Sequence, residues 1–570
     1  MATNAVGVYE GTHEHAAEER TTWWEYLTWS TDHKVIGIQY GVTAFLFFLF
    51  GGTLALLIRT ELYNPAAGDF FEGATYNSLF TMHATVMIFL FIIPMGGAFA
   101  NYIIPLQIGA ADMAFPWLNA FAFWLIPPAG FILLLGYAVG PAEAGWTAYP
   151  PLSAISPDGQ TLWIVAVHLL GLSSILGAVN FVVTIVNLRA PGMGYWQMPL
   201  LCWAILATAL LQILATPFLA GGITMLLFER IAGTSFFQSG GGEGDVLLWQ
   251  NVFWFYSHPA VYIMVLPAMG ILSEVLSVFS RKPIFGYRAI AMSSFGIAFF
   301  GFLVWAHHMF SSLNPTLRIP FMVTSMIIAV PTGIKIFSWL GTIWAGKIRL
   351  QPAMLFGLGF LSMFVIGGIS GVMLASVPVD VHMHDTYFVV AHLHFVLFGG
   401  SVFGIYAGLY FWWPKVTGRM MSAFWGRVHF AFTYVGFFLT FFPMHFLGAS
   451  GMPRRVGWYA EEFTDLNRLA TIGSMILGFS TLIFIVNAAY SLLLGRKAGN
   501  NPWQSLTLEW TVTSPPPKHN FLEQPIPAVD PYGYGTEEAY AYLRGERPQI
   551  TLEGGAHRHA DSLADEPAGD

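Results

Sequence analysis

Apolar residues come in long uninterrupted runs along this chain, separated by short polar breaks. About twelve such runs follow one another, centred near residues 48, 90, 127, 174, 211, 264, 299, 333, 365, 400, 437 and 481. Each approaches the roughly 20 residues that an α-helix needs to cross a bilayer. The two-residue alternation of barrel strands is missing. The pattern predicts an all-α integral membrane protein, a bundle of about twelve transmembrane helices. No internal repeat or low-complexity linker divides it. The expected organisation is an N-terminal segment 1–34, one membrane domain 35–496, and a C-terminal segment 497–570 that forms a surface strap and then a disordered tail.

Composition agrees with a lipid-solvated chain. Only 10% of residues are charged against 55% hydrophobic, and mean hydropathy is +0.59. A soluble protein carries about 25% charged residues. The Lys and Arg of alternate loops set the orientation. Arg189, Arg281, Lys282, Arg288, Lys347, Arg349, Lys415, Arg419, Arg427, Arg496 and Lys497 fall on one side, and Arg230, Arg318, Arg454, Arg455 and Arg468 on the other. Both termini are therefore expected in the cytoplasm, and the chain in a bacterial cytoplasmic (inner) membrane. The first 20 residues hold acidic groups and no apolar core, so they do not form a signal peptide. The ending HRHADSLADEPAGD reads as solvated tail despite its two histidines. Cys202 is the only cysteine, so neither a disulfide framework nor a thiolate metal cluster can form, and a bound metal must use histidine, carboxylate or backbone. Nothing points to nucleic acid.

Histidines inside the runs carry the chemistry. A lone one, such as His168 or His429, is readily a packing residue, but clusters are costly in lipid unless they face a cavity, partner or metal. Four stretches stand out: TMHATVM (His83), SHPAVY (His258), AHHMF (His307, His308) and AHLHFV (His392, His394). His392 and His394 are separated by about 200° around a helix and point to nearly opposite sides. One helix then stands between two cofactors, and His83 could pair with one of those histidines. His307 and His308 differ by about 100°, so they share a metal only where the backbone leaves regular helix. With His258 they make a three-imidazole set suited to copper. Tyr262 lies one turn beyond His258 on the same face.

The motifs HPAVY, AHHMF, VPTGIKIFSWL, HDTYFVVAHLHFV and GMPRR occur here in order. From STDHKVIG to LEWTVTSPPPKHNF the chain resembles subunit I of the haem-copper oxidases, in the type A branch of cytochrome c oxidases. The resemblance implies reduction of dioxygen to water, with proton translocation, by electrons from cytochrome c or a similar soluble donor. It implies two haems, expected to be of A type, together with copper B and magnesium. His83 and His394 would hold the low-spin haem and His392 the high-spin haem. His258, His307 and His308 would bind copper B, with Tyr262 cross-linked to His258. Arg454, Arg455, Trp146 and Asp380 match residues near the haem propionates, and Arg59 matches the contact to the haem A formyl group. His384 and Asp385 match a magnesium site that a second subunit completes. The family's dinuclear copper entry site needs cysteines that this chain lacks, so a subunit II is implied, with subunit III and further oxidase subunits.

Polar residues within the runs mark proton paths. By resemblance Lys335 belongs to one, with Thr332 and Ser273 leading toward Tyr262. Asp112 opens a second that continues through Asn101, Asn119, Asn180, Ser173 and Ser174. That path usually ends at a glutamate two residues after the first copper ligand, where this chain has Ala260. Tyr256 stands about one helical turn earlier, so its hydroxyl could approach the vacated place, with Ser257 holding a water beside it. A family branch carries this YSHP signature without the glutamate. With a pKa of about 10, a tyrosine relays a proton through water rather than storing it.

Three other readings are open. A nitric oxide reductase would add carboxylates and lack Tyr262. A quinol oxidase would carry His and Gln eight and five residues before His83, where Thr75 and Ser78 stand. A polar-lined transporter would leave the two-sided His392–His394 helix unexplained.

Overall fold

The computed structural model describes residues 23–66, 70–237, 244–546, 551–552 and 556–557. The expectations for residues 1–22 and for the end of the tail lie outside the described residues. Beyond residue 546 only a two-residue antiparallel pair is described, Thr551–Leu552 with Ala556–His557.

Among the described residues, eleven helices are long and apolar enough to cross a membrane: α1 His33–Glu61, α2 Gly73–Ile108, α3 Pro116–Ala138, α4 Gly159–Asn187, α5 Leu200–Ala232, α6 Val246–Ser280, α8 Pro315–Ile343, α9 Pro352–Ala375, α10 Tyr387–Thr417, α11 Ala423–Ala449 and α12 Glu461–Leu494. The twelfth rod, α7 Tyr287–Gly301, has 15 residues. The apolar run there continues, but the chain leaves the helix after Gly301 and tightens into a 3₁₀ turn at Trp305–Met309. That turn holds His307 and His308, so the shortfall is where site geometry overrides the hydrophobic pattern.

Helix ends follow local chemistry. Asp32, Asp245, Asn314, Thr386 and Ser422 each accept a hydrogen bond from a first-turn amide, which supplies a donor that would otherwise have no partner. Gly109, Gly233 and Gly418 end α2, α5 and α10 in the left-handed conformation, which glycine adopts without a Cβ clash. Two π-helical stretches interrupt the bundle, Val86–Ile92 within α2 and Leu397–Val402 within α10. Each begins three residues after a singled-out histidine, His83 or His394. Such bulges concentrate at functional sites.

The outward face is apolar, with Leu46, Phe131, Phe299, Phe337 and Val486 exposed, as lipid contact requires. Trp117, Trp344 and Trp425 are exposed near helix ends, where aromatic side chains sit at a membrane interface. Inside, small residues let backbones touch. A Cβ on Gly473 of α12 would lie 2.5 Å from the Thr440 amide nitrogen of α11, and one on Gly436 of α11 would lie 2.6 Å from that of Leu477.

The C-terminal segment differs from a surface strap. Residues 495–546 return over the bundle end that carries Arg281, whose guanidinium donates to the carbonyls of Trp503 and Gln504. Leu506, Glu509, Trp510, Asn520, Tyr532 and Tyr534 are buried. Lys415 donates to the carbonyls of Asn500, Val512 and Thr513. Glu509 accepts from Gln107 and Trp412. Tyr532 donates to Glu274 at 2.6 Å and accepts from the Leu200 amide at 2.6 Å. The segment supplies partners to helix ends and buried charges that would otherwise lack them.

The α11–α12 contact gives a stability prediction. Gly473→Ala should cost about 1–3 kcal/mol through overpacking, seen as a lower thermal midpoint in detergent. Gly221→Ala, where an added methyl meets nothing within 4 Å, should leave the midpoint unchanged or raise it.

Candidate functional site

Three imidazoles meet in the interior. His258 comes from α6, while His307 and His308 come from the 3₁₀ turn that follows α7, and their side chains reach round to the same point. His258 Nδ1 lies 3.1 Å from His308 Nε2, which lies 3.2 Å from His307 Nε2. The three ligand atoms fall within 4.8 Å of one another. Hydrogen atoms cannot satisfy three mutually facing ring nitrogens, whereas one metal ion can, so the set fits copper. His307 is oriented by Ser325, 2.7 Å from its Nδ1. His308 stacks on Trp254 at 3.7 Å. The Tyr262 ring lies 4.8 Å from that of His258, and His258 Nε2 is buried without a hydrogen-bond partner.

Helix α10 has two sides, as its histidine spacing predicts. His392 lies against α9, on the Gly367 carbonyl, while His394 faces α11 and stacks on Phe441. In His83, His392 and His394 Nδ1 is already bound: His83 to the Gly51 carbonyl at 2.8 Å, His392 to the Gly367 carbonyl at 2.9 Å, and His394 to the Val390 carbonyl at 2.8 Å. Nε2 is thereby left as the free ligand atom, and the tautomer is set. Ser370 also reaches His392 Nδ1 at 3.2 Å. Gly371 lets the His392 ring lie against α9, since a Cβ there would be 2.8 Å from its Cε1. His394 stacks on Phe441 at 4.2 Å.

Arg59 is buried in α1. One terminal nitrogen donates to Asn467 and Thr471, while Nε and the other terminal nitrogen are buried and unpartnered. A guanidinium held with three of its five N–H donors idle fits a carbonyl-bearing ligand. At the bundle end away from the strap, Arg454 binds Asp385 at 2.8 and 2.5 Å. Arg455 reaches Thr147, and the Trp146 ring lies 5.3 and 5.9 Å from Phe253 and Trp254. Burial and the neighbouring Arg454 lower Arg455 to about 10. Asp380 accepts from His384 at 3.1 Å, and His384 Nε2 is 3.8 Å from Asp385. Burial alone would raise the Asp385 carboxyl, but Arg454 and His384 outweigh it and hold it below its ordinary value.

The proton-path residues are only partly brought together. Asn119 donates to Asn101 at 2.6 Å. Asn180 exchanges two hydrogen bonds with the Phe115 backbone, and so pins the 109–115 loop that bears Asp112. Asn101, Ser173 and Ser174 line a cavity of about 50 Å³ together with Tyr40, Thr208, Gln212 and Ile263, enough for a short file of waters. Asp112, Asn119, Asn180, Tyr256 and Ser257 do not line it. Tyr256 makes no hydrogen bond to protein among the described residues, and Ser257 Oγ is buried without a partner. Lys335 is buried, and its Nζ donates to the Ile290 carbonyl at 2.9 Å and Ser294 at 2.8 Å. Thr332 bonds within its own helix, and Ser273 accepts from Trp339. The structure shows no direct chain of contacts from Lys335 to Tyr262.

The chain matches the family described as Cytochrome C and Quinol oxidase polypeptide I over residues 35–476. It belongs to that family. It is 57% identical to cytochrome c oxidase subunit 1 of Synechocystis sp. over 92% of this chain and 95% of that one. Identity is 55% to the Thermostichus vulcanus subunit 1, covering 90% and 94%, and 44% to that of Bacillus subtilis, covering 89% and 82%. A haem-copper terminal oxidase dimer seen by cryo-EM shares the fold at 20% identity, with a TM-score of 0.69 over 82% of this chain and 85% of that one. As a haem-copper oxidase subunit I, the chain is the multi-pass membrane catalytic subunit of a terminal respiratory oxidase and works beside other oxidase subunits. The family carries haem and copper B, which the histidine geometry fits.

Sequence reasoning missed Ser325, Ser370, Asn467, Thr471, Ser294, Tyr40, Thr208 and Gln212. Ser294 and Gln212 are polar interruptions of apolar runs and carried a signal; the others act through contacts that spacing does not reveal.

Because α10 separates two groups of histidines, His392→Ala and His394→Ala should have different spectral consequences. Reduced-minus-oxidised spectra should lose the high-spin signal in the first and the low-spin signal in the second. Identical losses in both, with the subunits still assembled, would contradict the two-sided helix.

Proposed function

We propose that this chain reduces dioxygen to water with electrons from cytochrome c or a similar soluble donor and couples the reaction to proton translocation across a bacterial inner membrane. The observation that carries the proposal is the convergence of His258, His307 and His308, whose ligand atoms lie within 4.8 Å of one another. His83 and His394 hold the low-spin haem, His392 the high-spin haem, and His258, His307 and His308 copper B. The idle Arg59 donors support haem A, whose formyl oxygen would accept from them. Arg454, Arg455, Trp146 and Asp380 gather where propionates would lie, and His384 with Asp385 offers half a magnesium site to subunit II.

When bound, the haems and copper supply electron transfer and dioxygen reduction. The chain positions and protonates. Tyr262 stands against His258, whose unpartnered Nε2 supports the cross-link between them. Its hydroxyl is the hydrogen donor beside the copper ligands. Lys335 carries protons through the Ser294 side of α8, with Thr332 and Ser273 along the same path. Asp112 admits protons to the cavity that Asn101, Ser173 and Ser174 line, with Asn119 and Asn180 fixing its mouth. Tyr256 and Ser257 replace the carboxylate missing at Ala260. Thr75 and Ser78, where a quinol oxidase would carry His and Gln, support the soluble donor. The membrane domain is taken as 35–496, with both termini cytoplasmic. Subunit II brings electrons from its dinuclear copper, and subunit III completes the assembly.

A pyridine haemochrome spectrum with metal analysis of the purified complex tests this proposal. Two haems A per chain are expected, together with one copper that His308→Ala removes and rapid oxygen uptake with reduced cytochrome c. Haem B alone would reject the role given to Arg59, and no haem at all would reject the whole reading.

Tyr256→Phe removes one hydroxyl with little change in volume and should slow oxygen uptake, proton release or both about tenfold in reconstituted vesicles. Ser257→Ala should be milder. Tyr256→Phe with Ala260→Glu should regain part of the loss, whereas full pumping by Tyr256→Phe would exclude the relay.

A further inference from the structure

Asn520, far from the haem and copper residues in sequence, is fully buried where the C-terminal strap crosses the proton-entry loop. Its backbone takes a positive φ of 65°, which Asn tolerates better than most residues because its side chain can bond locally. Every polar atom of that side chain is engaged. Nδ2 donates to the Ala110 carbonyl at 2.8 Å and lies 2.8 Å from His33 Nε2, while Oδ1 accepts from Lys34 Nζ at 3.0 Å. His33 in turn uses Nδ1 to bind the Asn101 carbonyl at 2.7 Å, and the Asn101 side chain accepts from Asn119. Gln524 adds a bond to the Gly109 carbonyl at 3.2 Å. Strap, start of α1, entry loop and first asparagines of the path thus meet at one side chain.

We infer that Asn520 is a positioning residue for proton uptake: by holding the Ala110 carbonyl and His33 together, it fixes the loop that presents Asp112 to the Asn119–Asn101 pair. The inference rests on the reading of Asp112 as a proton entry. It assigns the strap a function in turnover, beyond closing the bundle end. Asp112 follows Ala110 by two residues, so release of that carbonyl lets the carboxyl swing toward solvent. The half-buried carboxyl is lifted to about 6, chiefly by burial. The charged groups facing it are Asp32, which raises it further, and Lys34, which lowers it. Swinging outward would return it toward the ordinary carboxylate range near 4 and leave it protonated less often at a given pH.

The test compares Asp112→Asn, Asn520→Gly and Asn520→Asp in the whole oxidase complex, with haem content and anaerobic haem reduction as checks of integrity. Glycine accepts the positive φ without strain, so Asn520→Gly removes the side chain alone. Asn520→Asp keeps an acceptor for Lys34 and loses the donor to Ala110, so it separates strap docking from loop clamping. Both Asn520 variants should slow proton uptake from the medium during oxygen reduction about three- to tenfold. They should also move the alkaline fall of turnover to lower pH, with anaerobic haem reduction unchanged. Gln524→Ala should shift both readouts in the same direction by less. Normal uptake and an unmoved pH profile in Asn520→Asp would overturn the inference while Asp112→Asn remains slow. Normal turnover in Asp112→Asn would instead overturn the entry reading on which it rests.

Discussion

The constraint on which this structure depends is the cost of an imidazole nitrogen without a partner in an apolar interior. An unpaired polar group there costs about 1–3 kcal/mol or more, and three facing lone pairs at 3.1–3.2 Å multiply that cost unless one ion satisfies them all. The fold is arranged around the convergence. Helix α7 stops at Gly301 although its apolar run continues, and the 3₁₀ turn that follows carries His307 and His308 to their meeting with His258. Helix α6 stays unbroken through Pro259 and Pro267, which keeps His258 and Tyr262 on one face.

The second ring nitrogens are hydrogen-bonded in four of the six histidines and not in the other two. His83, His392 and His394 place Nδ1 on backbone carbonyls, and His307 places Nδ1 on Ser325. Such partners hold ring orientation and raise ligand basicity. Among the described residues His308 has no hydrogen bond on Nδ1 but stacks on Trp254 at 3.7 Å, whereas His258 has its Nε2 buried with no hydrogen bond. Beside it is Tyr262 rather than a carbonyl. A ring otherwise held by nothing but its metal requires another restraint, and a covalent link to the neighbouring tyrosine would provide it without a polar partner.

Periodicity made the bundle legible, and histidine spacing made most of the site legible, because both consist of relations along one helix. The opposite faces of His392 and His394 follow from a two-residue separation. What stayed hidden depends on contacts between distant segments. Arg59 stood out as a charge in an apolar run, but its partners Asn467 and Thr471 lie about 400 positions away with no periodic relation to it. The strap was read as surface because Pro, Glu and Asp suggest solvent. Yet Glu509, Asn520 and Tyr532 are buried, because helix ends expose amides and carbonyls that an apolar segment could not satisfy. Length also misled at α7, where the metal-binding turn takes residues that the hydropathy pattern assigns to a helix.

The proposed proton paths meet a different requirement from metal binding, which would account for their looser construction. A metal site needs fixed atoms, whereas a proton path needs polar groups near water and freedom to reorient. Accordingly Asn101, Ser173 and Ser174 border a small cavity rather than forming a continuous chain, and Lys335 rests on a carbonyl and a serine instead of a carboxylate. A carboxylate would hold the lysine charged and stationary. Neutral acceptors let it release a proton without leaving a buried anion behind. The same logic makes Ala260 tolerable: a hydroxyl that relays through water can stand in for a stored proton provided water reaches it, and Tyr256 has no protein partner competing for that contact. The 109–115 loop, by contrast, is anchored by Asn180 from within the bundle and by Asn520 from the strap, which would hold the carboxyl of the proposed entry in place.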